Sequence, residues 1–466
     1  MEEKKTGDAR RETLLCKDKN GWDRISPEDR AAVMPYAEGY KAFMDAAKTE
    51  REAVIETIRM ARAAGFVPLE RGKALKAGDK VYRINRGKAL MLAVIGNQPL
   101  EAGTRITAAH IDNPRLDLKP NPLYEDADMA FFKTHYYGGI KKYQWPTIPL
   151  AIHGVVCLKD GSTVEIRIGE KDDEPMLVIT DLLIHLAGDQ MKKPLAEAIP
   201  GESLNVLLGS IPLENDEGAD RVKLAIMILL NEKYGITEED FRSAELCMVP
   251  AWKARDAGLD RSMIGAFGHD DRVCAYSALT PILEEDTPEY TSVCVLADKE
   301  EIGSVGVSGM MSTFFETFMD DLCEAQGGKL KICLENSLCL SADVTAAMDP
   351  NFPEVSERRN EAKLNGGTAI CKYTGARGKS GASDASAELM ARVRSILDGD
   401  GVIWQTTELG KVDQGGGGTV AGYMANRNID TVDIGVPVLC MHAPMELVSK
   451  LDLYMTMRAM RAFYLA

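Results

Sequence analysis

The chain has no stretch of about 18 uncharged apolar residues, the length that spans a hydrocarbon core, so no membrane-crossing helix is expected. Its opening, Met-Glu-Glu-Lys-Lys-Thr-Gly-Asp, runs on into charged sequence, so no export signal is expected either. Basic residues are in the minority. With 55 Lys and Arg against 71 Asp and Glu, the formal charge is −16, which repels phosphate backbones and argues against a nucleic-acid partner. The ten cysteines are dispersed, and no Cys-x-x-Cys pair suggests a zinc knuckle or a redox motif. Most sit in apolar runs such as Ser292-Val293-Cys294-Val295-Leu296, as reduced, buried thiols of a cytoplasmic protein do. No internal repeat is visible, and Gly415 to Gly418 is a local turn or a point of close approach.

What is present describes a folded enzyme-sized protein. At 466 residues the chain exceeds what one hydrophobic core usually supports, which favours two structural units. Alanine-rich sequence from Pro27 to Gly65 reads as helix, and β-branched runs at Lys80 to Asn85 and Ala89 to Gly96 read as strands. Another strand, Thr104 to Ala109, leads into His110. After Asp117 the texture changes to Pro120, Asn121 and Pro122, then tyrosines, Trp145 and alternating runs such as Val164 to Ile168. An inserted, β-rich unit is therefore expected at residues 116–254, including a helix over Arg221 to Tyr234 and a strand over Ala244 to Val249. It interrupts a larger unit made of residues 1–115 and 255–466. In the second part of that unit, Thr291 to Ala297, Ser337 to Ala342 and Thr431 to Leu439 are short apolar runs, each followed by helix-compatible sequence. The expected class is α/β, with a mixed, mostly parallel sheet flanked by helices.

Chemistry-bearing residues fall just after these runs, where open α/β sheets place ligand sites. Only six histidines occur, and two of them, His110 and His442, stand near carboxylates at expected strand ends. In His110-Ile-Asp112 the aspartate can accept one ring proton and so present the other nitrogen to a metal, although a local turn bond uses the same spacing. The neighbours Glu300 and Glu301, in Asp298-Lys-Glu-Glu-Ile-Gly-Ser304, would repel at a strand's mouth unless cations are present. One of the two can bind metal while the other serves as a general base. Gly268-His-Asp270-Asp271-Arg272 offers a carboxylate able to bridge two ions, or a helix cap. Asp343 ends the run that begins at Ser337. Histidines and carboxylates together suit zinc, cobalt or manganese without a cysteine ligand.

These segments, in this order, resemble the aspartyl aminopeptidase and aminopeptidase I family of dinuclear metallopeptidases, and the resemblance spans nearly the whole chain. His110-Ile-Asp112-Asn-Pro-Arg-Leu-Asp-Leu-Lys-Pro120 looks like the family's first histidine motif. Asp298 to Ser304 looks like its paired-glutamate motif, and Ser341-Ala-Asp343 and Met441-His442 like its remaining metal segments. The resemblance implies two divalent ions, with Asp270 bridging, His110 and Asp343 completing one site, and Glu301 and His442 the other. It implies Glu300 as the base and Asp112 as the group that orients His110. It further implies a dimerisation role for the inserted unit, assembly into a tetrahedral dodecamer, and His185 reaching a neighbouring subunit's active site. Gly417-Gly418-Thr419 resembles a loop lining the substrate cleft.

One departure bears on substrate choice. Where aspartyl aminopeptidases carry two further histidines, this chain has Ala346 and Asp349. Arg377 and Lys379 are alternative candidates to meet an acidic side chain, or simply a solvated basic loop. The expected activity is removal of the first residue of peptides with a free amino terminus by a two-metal-activated water, with acidic first residues as the preference that the resemblance offers and this departure puts in question. Other readings keep the two-metal site but act on N-acyl amino acids, carboxy-terminal bonds or sugar polymers, or make the chain a non-catalytic self-assembling scaffold.

Overall fold

The computed structural model describes the chain except residues 1–9, 12, 17, 18 and 376, so the opening segment read for an export signal lies outside the described residues. Among the described residues no helix is long and apolar enough to cross a membrane.

Continuous apolar runs become the centre of a nine-stranded sheet. Ala89–Val94, Arg105–His110, Ser292–Ala297 and Leu338–Ala342 are buried at every position, as strands covered on both faces must be. The sheet runs, edge to edge, through Val67–Pro68, Lys80–Asn85, Ala89–Val94, Ser292–Ala297, Arg105–His110, Leu338–Ala342, Asp430–Gly435, Thr368–Cys371 and Trp404–Thr406. Its four central strands, Ser292–Ala297 through Asp430–Gly435, pair in parallel, and antiparallel pairs join them to the flanks. The expected mixed, mostly parallel α/β sheet is present. Because Ala297 lies opposite His110, and Ser341 opposite Ala108, the strands deliver their following residues to one edge.

Helices cover this sheet. His269–Glu284 packs against Lys450–Tyr464, placing Leu279 and Ile282 in one core with Leu453, Met460 and Phe463. Two expectations need correction. The helical stretch from Pro27 to Gly65 is two helices, Pro27–Ala46 and Glu50–Ala63, because Thr49 and Glu52 form a reciprocal capping box that starts the second. The run from Thr431 to Leu439 is likewise two strands. Asp430–Gly435 stays in the main sheet, whereas Pro437–Leu439 joins a separate five-stranded sheet with Glu446–Ser449 and Met263–Ala266.

A second large sheet, of seven strands, draws only on residues 115–250, and all its neighbouring strands are antiparallel. It has its own core, including Leu116, Phe132, Trp145, Ile152, Val206 and Met248. A buried polar cluster ties it to the helix Glu50–Ala63. His153 lies 2.8 Å from Glu52 and 2.9 Å from Glu170. Lys48 Nζ lies 2.6 Å from Glu170 and donates to the Pro250 carbonyl at 2.8 Å. Burial disfavours the His153 imidazolium, but the two carboxylates outweigh it and raise the pKa above the ordinary histidine value.

A group whose native pKa is raised stabilises the fold fully below its unfolded value, near pH 6.5, and loses that contribution as pH climbs through the native value. His153→Gln should therefore cost about 3 kcal/mol in denaturant unfolding at pH 6. The gap between variant and wild type should shrink as pH is raised through the native His153 titration; a gap that widens with pH would contradict this.

Candidate metal centre

The site gathers at the strand edge because each strand stops where its chain turns polar. Arg105–His110 ends on His110 itself, and Leu338–Ala342 is followed directly by Asp343. Gly435 lets this happen. A Cβ there would lie 1.6 Å from the Asp343 carbonyl oxygen, so only glycine allows the neighbouring strand to come so close. After Ser292–Ala297 the backbone turns left-handed at Lys299, φ 68°, and enters a short 3-10 turn over Glu300–Ile302. Asp270 and Asp271 sit in the first turn of His269–Glu284 with non-helical backbone angles.

Asp112 organises two of these segments, the end of the His110 strand and the turn of Glu300 and Glu301. Its carboxylate accepts the backbone N–H of Glu300 at 3.1 Å and of Glu301 at 3.2 Å, plus the Tyr137 hydroxyl at 2.8 Å. The same carboxylate lies 3.3 Å from His110 Nδ1, and the Asp112 carbonyl lies 3.0 Å from that nitrogen. With Nδ1 so engaged, Nε2 is left to face the pocket.

The pocket's donor atoms then fall into two sets. His110 Nε2 is 3.1 Å from Asp270 Oδ1 and 3.7 Å from Asp343 Oδ1. His442 Nε2 is 3.1 Å from Asp270 Oδ2 and 3.4 Å from Glu301 Oε1. A tetrahedral zinc with bonds of about 2.1 Å puts its ligand atoms about 3.4 Å apart, so both sets have the spacing of a zinc shell. Asp270 belongs to both and turns a different oxygen to each. Glu300 stands slightly back, with Oε2 3.9 Å from His110 Nε2. The buried Glu301 Oε1 has no hydrogen-bond partner, and an acceptor without a donor suits a cation. The residues present therefore fit divalent metal.

Electrostatics point the same way. Burial, followed by Asp343 and Asp270, lifts the Glu300 pKa to about 8, and burial with Asp270 also raises Glu301 well above the usual carboxylate range. Burial also raises Asp343. Both histidines are pushed toward the charged form, since nearby carboxylates overcome the burial that opposes it. The pocket thus gathers more acid than its two imidazoles can balance, and bound cations would relieve the repulsion.

Three contributors carried no signal in the sequence pattern. Glu446 accepts the backbone N–H of His442 at 2.7 Å and of Asp270 at 3.1 Å, clamping together two segments far apart in the chain. The Gly139 carbonyl lies 2.9 Å from His442 Nδ1 and leaves its Nε2 facing Asp270 and Glu301. Asp433, buried behind the pocket, accepts the Thr419 hydroxyl at 2.7 Å and anchors the glycine loop. Glu446 was visible four residues after His442, but nothing local says that it faces inward. His185 is not gathered with these residues in its own chain; it lies on an exposed turn beside Ile184 and Leu186. Arg377 and Lys379 line a neighbouring cavity instead, and Lys379 is paired with Asp384 at 3.2 Å.

Comparison with known proteins places the chain beside zinc metalloproteases. Residues 43–464 match the family described as aminopeptidase I zinc metalloprotease (M18). A probable M18 family aminopeptidase 1 of Clostridium acetobutylicum is 51% identical over 97% of this chain and 98% of its own length. The crystal structure of an M18 aminopeptidase from Thermotoga maritima superposes with a TM-score of 0.93 at 45% identity, covering 97% of this chain and 99% of its own. Aminopeptidase I from Clostridium acetobutylicum gives 0.92 at 48% identity, over 97% and 100%.

If Asp270 serves both sets, its loss should be felt twice. Metal analysis should find about two zinc per chain in the wild type, about one in Glu301→Ala, and little in Asp270→Ala. Equal loss from both variants would argue against a shared ligand.

Proposed function

The chain belongs to the aminopeptidase I zinc metalloprotease (M18) family, and from that membership we propose how its residues remove the amino-terminal residue of peptides. It is a metal-dependent aminopeptidase. Two zinc ions would be held, one by His110, Asp270 and Asp343, the other by Asp270, Glu301 and His442. The observation that carries this assignment is Asp270, whose two carboxylate oxygens each lie 3.1 Å from a different histidine. Zinc so held would polarise the scissile carbonyl and make hydroxide available near neutral pH.

The protein's own part is positioning and proton transfer. Glu300, whose Oε2 lies 3.9 Å from His110 Nε2, takes the proton from the attacking water and returns it to the departing amine. Asp112 keeps His110 in the tautomer that offers Nε2 and, by accepting both backbone amides, fixes the turn that carries Glu300 and Glu301.

The side chain of that first residue faces a cleft of 150 Å³ lined by Val344, Ala369, Cys371, Leu409, Ile434 and Met441, with Gly417 and Gly418 along one wall. Its charged lining residues are Asp270, Glu300, Asp343, Asp433 and His442, and no lysine or arginine is among them. An acidic side chain would find an apolar wall there and no basic side chain to pair with. We therefore propose a preference for uncharged, apolar amino-terminal residues.

Assembly follows the same family logic. We propose that residues 1–115 and 255–466 form the catalytic domain and 116–254 a dimerisation domain, building a tetrahedral dodecamer in the cytoplasm. Exposed Leu183, Ile184 and Leu186, at 54%, 67% and 68% accessibility, surround His185 and support burial of this segment against a neighbouring subunit, where His185 would reach the active site.

Glu300→Gln should lower kcat at least about 100-fold with zinc content unchanged. Peptides with acetylated amino termini should not be cleaved. Across a panel of amino-terminal residues, kcat/KM for leucine or methionine should exceed that for aspartate or glutamate by at least about tenfold. Faster turnover of the acidic substrates would refute the assigned cleft, and full activity in Glu300→Gln would remove it as the base.

A further inference from the structure

The centre is supported from a side that its own ligands do not belong to. Strand Met129–Tyr137 of the seven-stranded sheet ends against the pocket, and its last residue and the two glycines after it each touch the metal-facing residues. Tyr137 donates its hydroxyl to Asp112 Oδ2 at 2.8 Å, while the Arg115 guanidinium lies 4.4 Å from the centre of its ring. Gly138 has φ 71°, and a Cβ on it would stand 3.3 Å from both Cβ and Oε2 of Glu301. Gly139 offers its carbonyl to His442 Nδ1 at 2.9 Å. One three-residue turn thus reaches the carboxylate behind His110, the flank of Glu301 and the back of His442.

We propose that Tyr137, Gly138 and Gly139 are positioning residues, a strut by which the seven-stranded sheet sets the orientation of ligands in both metal sets of its own subunit. This rests on the ligand assignment above. The physical basis is directional. A histidine binds metal along one ring nitrogen, and the acceptor on the other nitrogen fixes both tautomer and ring plane. For His442 that acceptor is a main-chain carbonyl in the seven-stranded sheet's turn, and for His110 it is Asp112, whose carbonyl lies 3.0 Å and whose carboxylate lies 3.3 Å from Nδ1, the carboxylate being held by that turn's tyrosine. Gly138 is needed because the chain passes Glu301 in a left-handed conformation at a distance that leaves little room for a side chain. A displacement of this sheet relative to the nine-stranded sheet would move the supports of both histidines together. The sheet therefore acts on the chemistry in cis, separately from any contact it makes between subunits.

The test uses the full-length protein and three variants. Tyr137→Phe removes one hydroxyl and keeps the ring under Arg115. Gly138→Ala adds the crowding methyl. Gly161→Ala is the control, at another left-handed glycine of the same sheet, φ 88°, with open space around its Cβ position. Each is loaded with cobalt(II) for its visible absorption spectrum, and separately with zinc for retention against increasing chelator. The expected result is an altered cobalt band and zinc retention weaker by about tenfold in Tyr137→Phe and Gly138→Ala, with Gly161→Ala like the wild type. If Gly138→Ala fails to fold, Tyr137→Phe still decides. A wild-type cobalt spectrum and wild-type zinc retention in Tyr137→Phe would overturn the strut. His442→Ala, measured alongside, tells the two layers apart. Loss of zinc there with an unaltered Tyr137→Phe defeats the strut alone, whereas full zinc retention in His442→Ala defeats the ligand assignment beneath it.

Discussion

Five carboxyl groups, those of Asp270, Glu300, Glu301, Asp343 and Glu446, crowd around two imidazoles with little access to water, and this crowding governs the rest of the structure. Like charges in a shielded pocket stay ionised only when cations share the space, which is why burial raises Glu300, Glu301, Asp343 and Glu446 in the absence of metal. Such a cluster opposes folding unless something offsets it. The fold accepts it at the edge of a parallel sheet, where polar residues can follow buried strands without interrupting them.

Glu446 of this group and Asp112 beside it do not face metal at all, and they explain how the others are held. Asp112 takes the amides of Glu300 and Glu301, and Glu446 takes the amides of His442 and Asp270. In each case a buried carboxylate accepts from the backbone of the very residues that carry ligand atoms. Charge-assisted hydrogen bonds of this kind are shorter and stronger than neutral ones. The left-handed residues Lys299, at φ 68°, and His442, at φ 65°, occur at these clamps. Unfavourable backbone angles persist where surrounding contacts over-determine them.

The seven-stranded sheet connects to this arrangement at two places with different physics. At the pocket it supplies Tyr137 and the Gly139 carbonyl, which are short and directional contacts. At the helix Glu50–Ala63 it supplies His153 and Glu170, which with Glu52 and Lys48 form a buried charged cluster flanked by the exposed Arg167. The cluster fixes how the two sheets meet, and the pocket contacts depend on that placement being accurate to a few tenths of an ångström.

Much of this was legible in one dimension. The apolar runs before His110, Asp298 and Asp343 marked strands because burial on both faces leaves no alternation to read, and polar residues directly after them marked the sheet's edge. The residue types and their order, His110, Asp270, Glu301, Asp343 and His442, named a metal-compatible set, since histidine and carboxylate are what hard and borderline divalent ions need. Strand breaks were less legible. Val436 carries the chain from one sheet to another inside an unbroken apolar run, and only the packing of Gly435 against Asp343 shows why. What the sequence alone could not determine is which groups hold the ligands in place. His442 and Gly139 are 303 residues apart, and Glu446 and Asp270 are 176 apart. Such partners are chosen by how two sheets cross and where a turn ends, and no local pattern records a hydrogen bond whose two halves meet only after both sheets have packed.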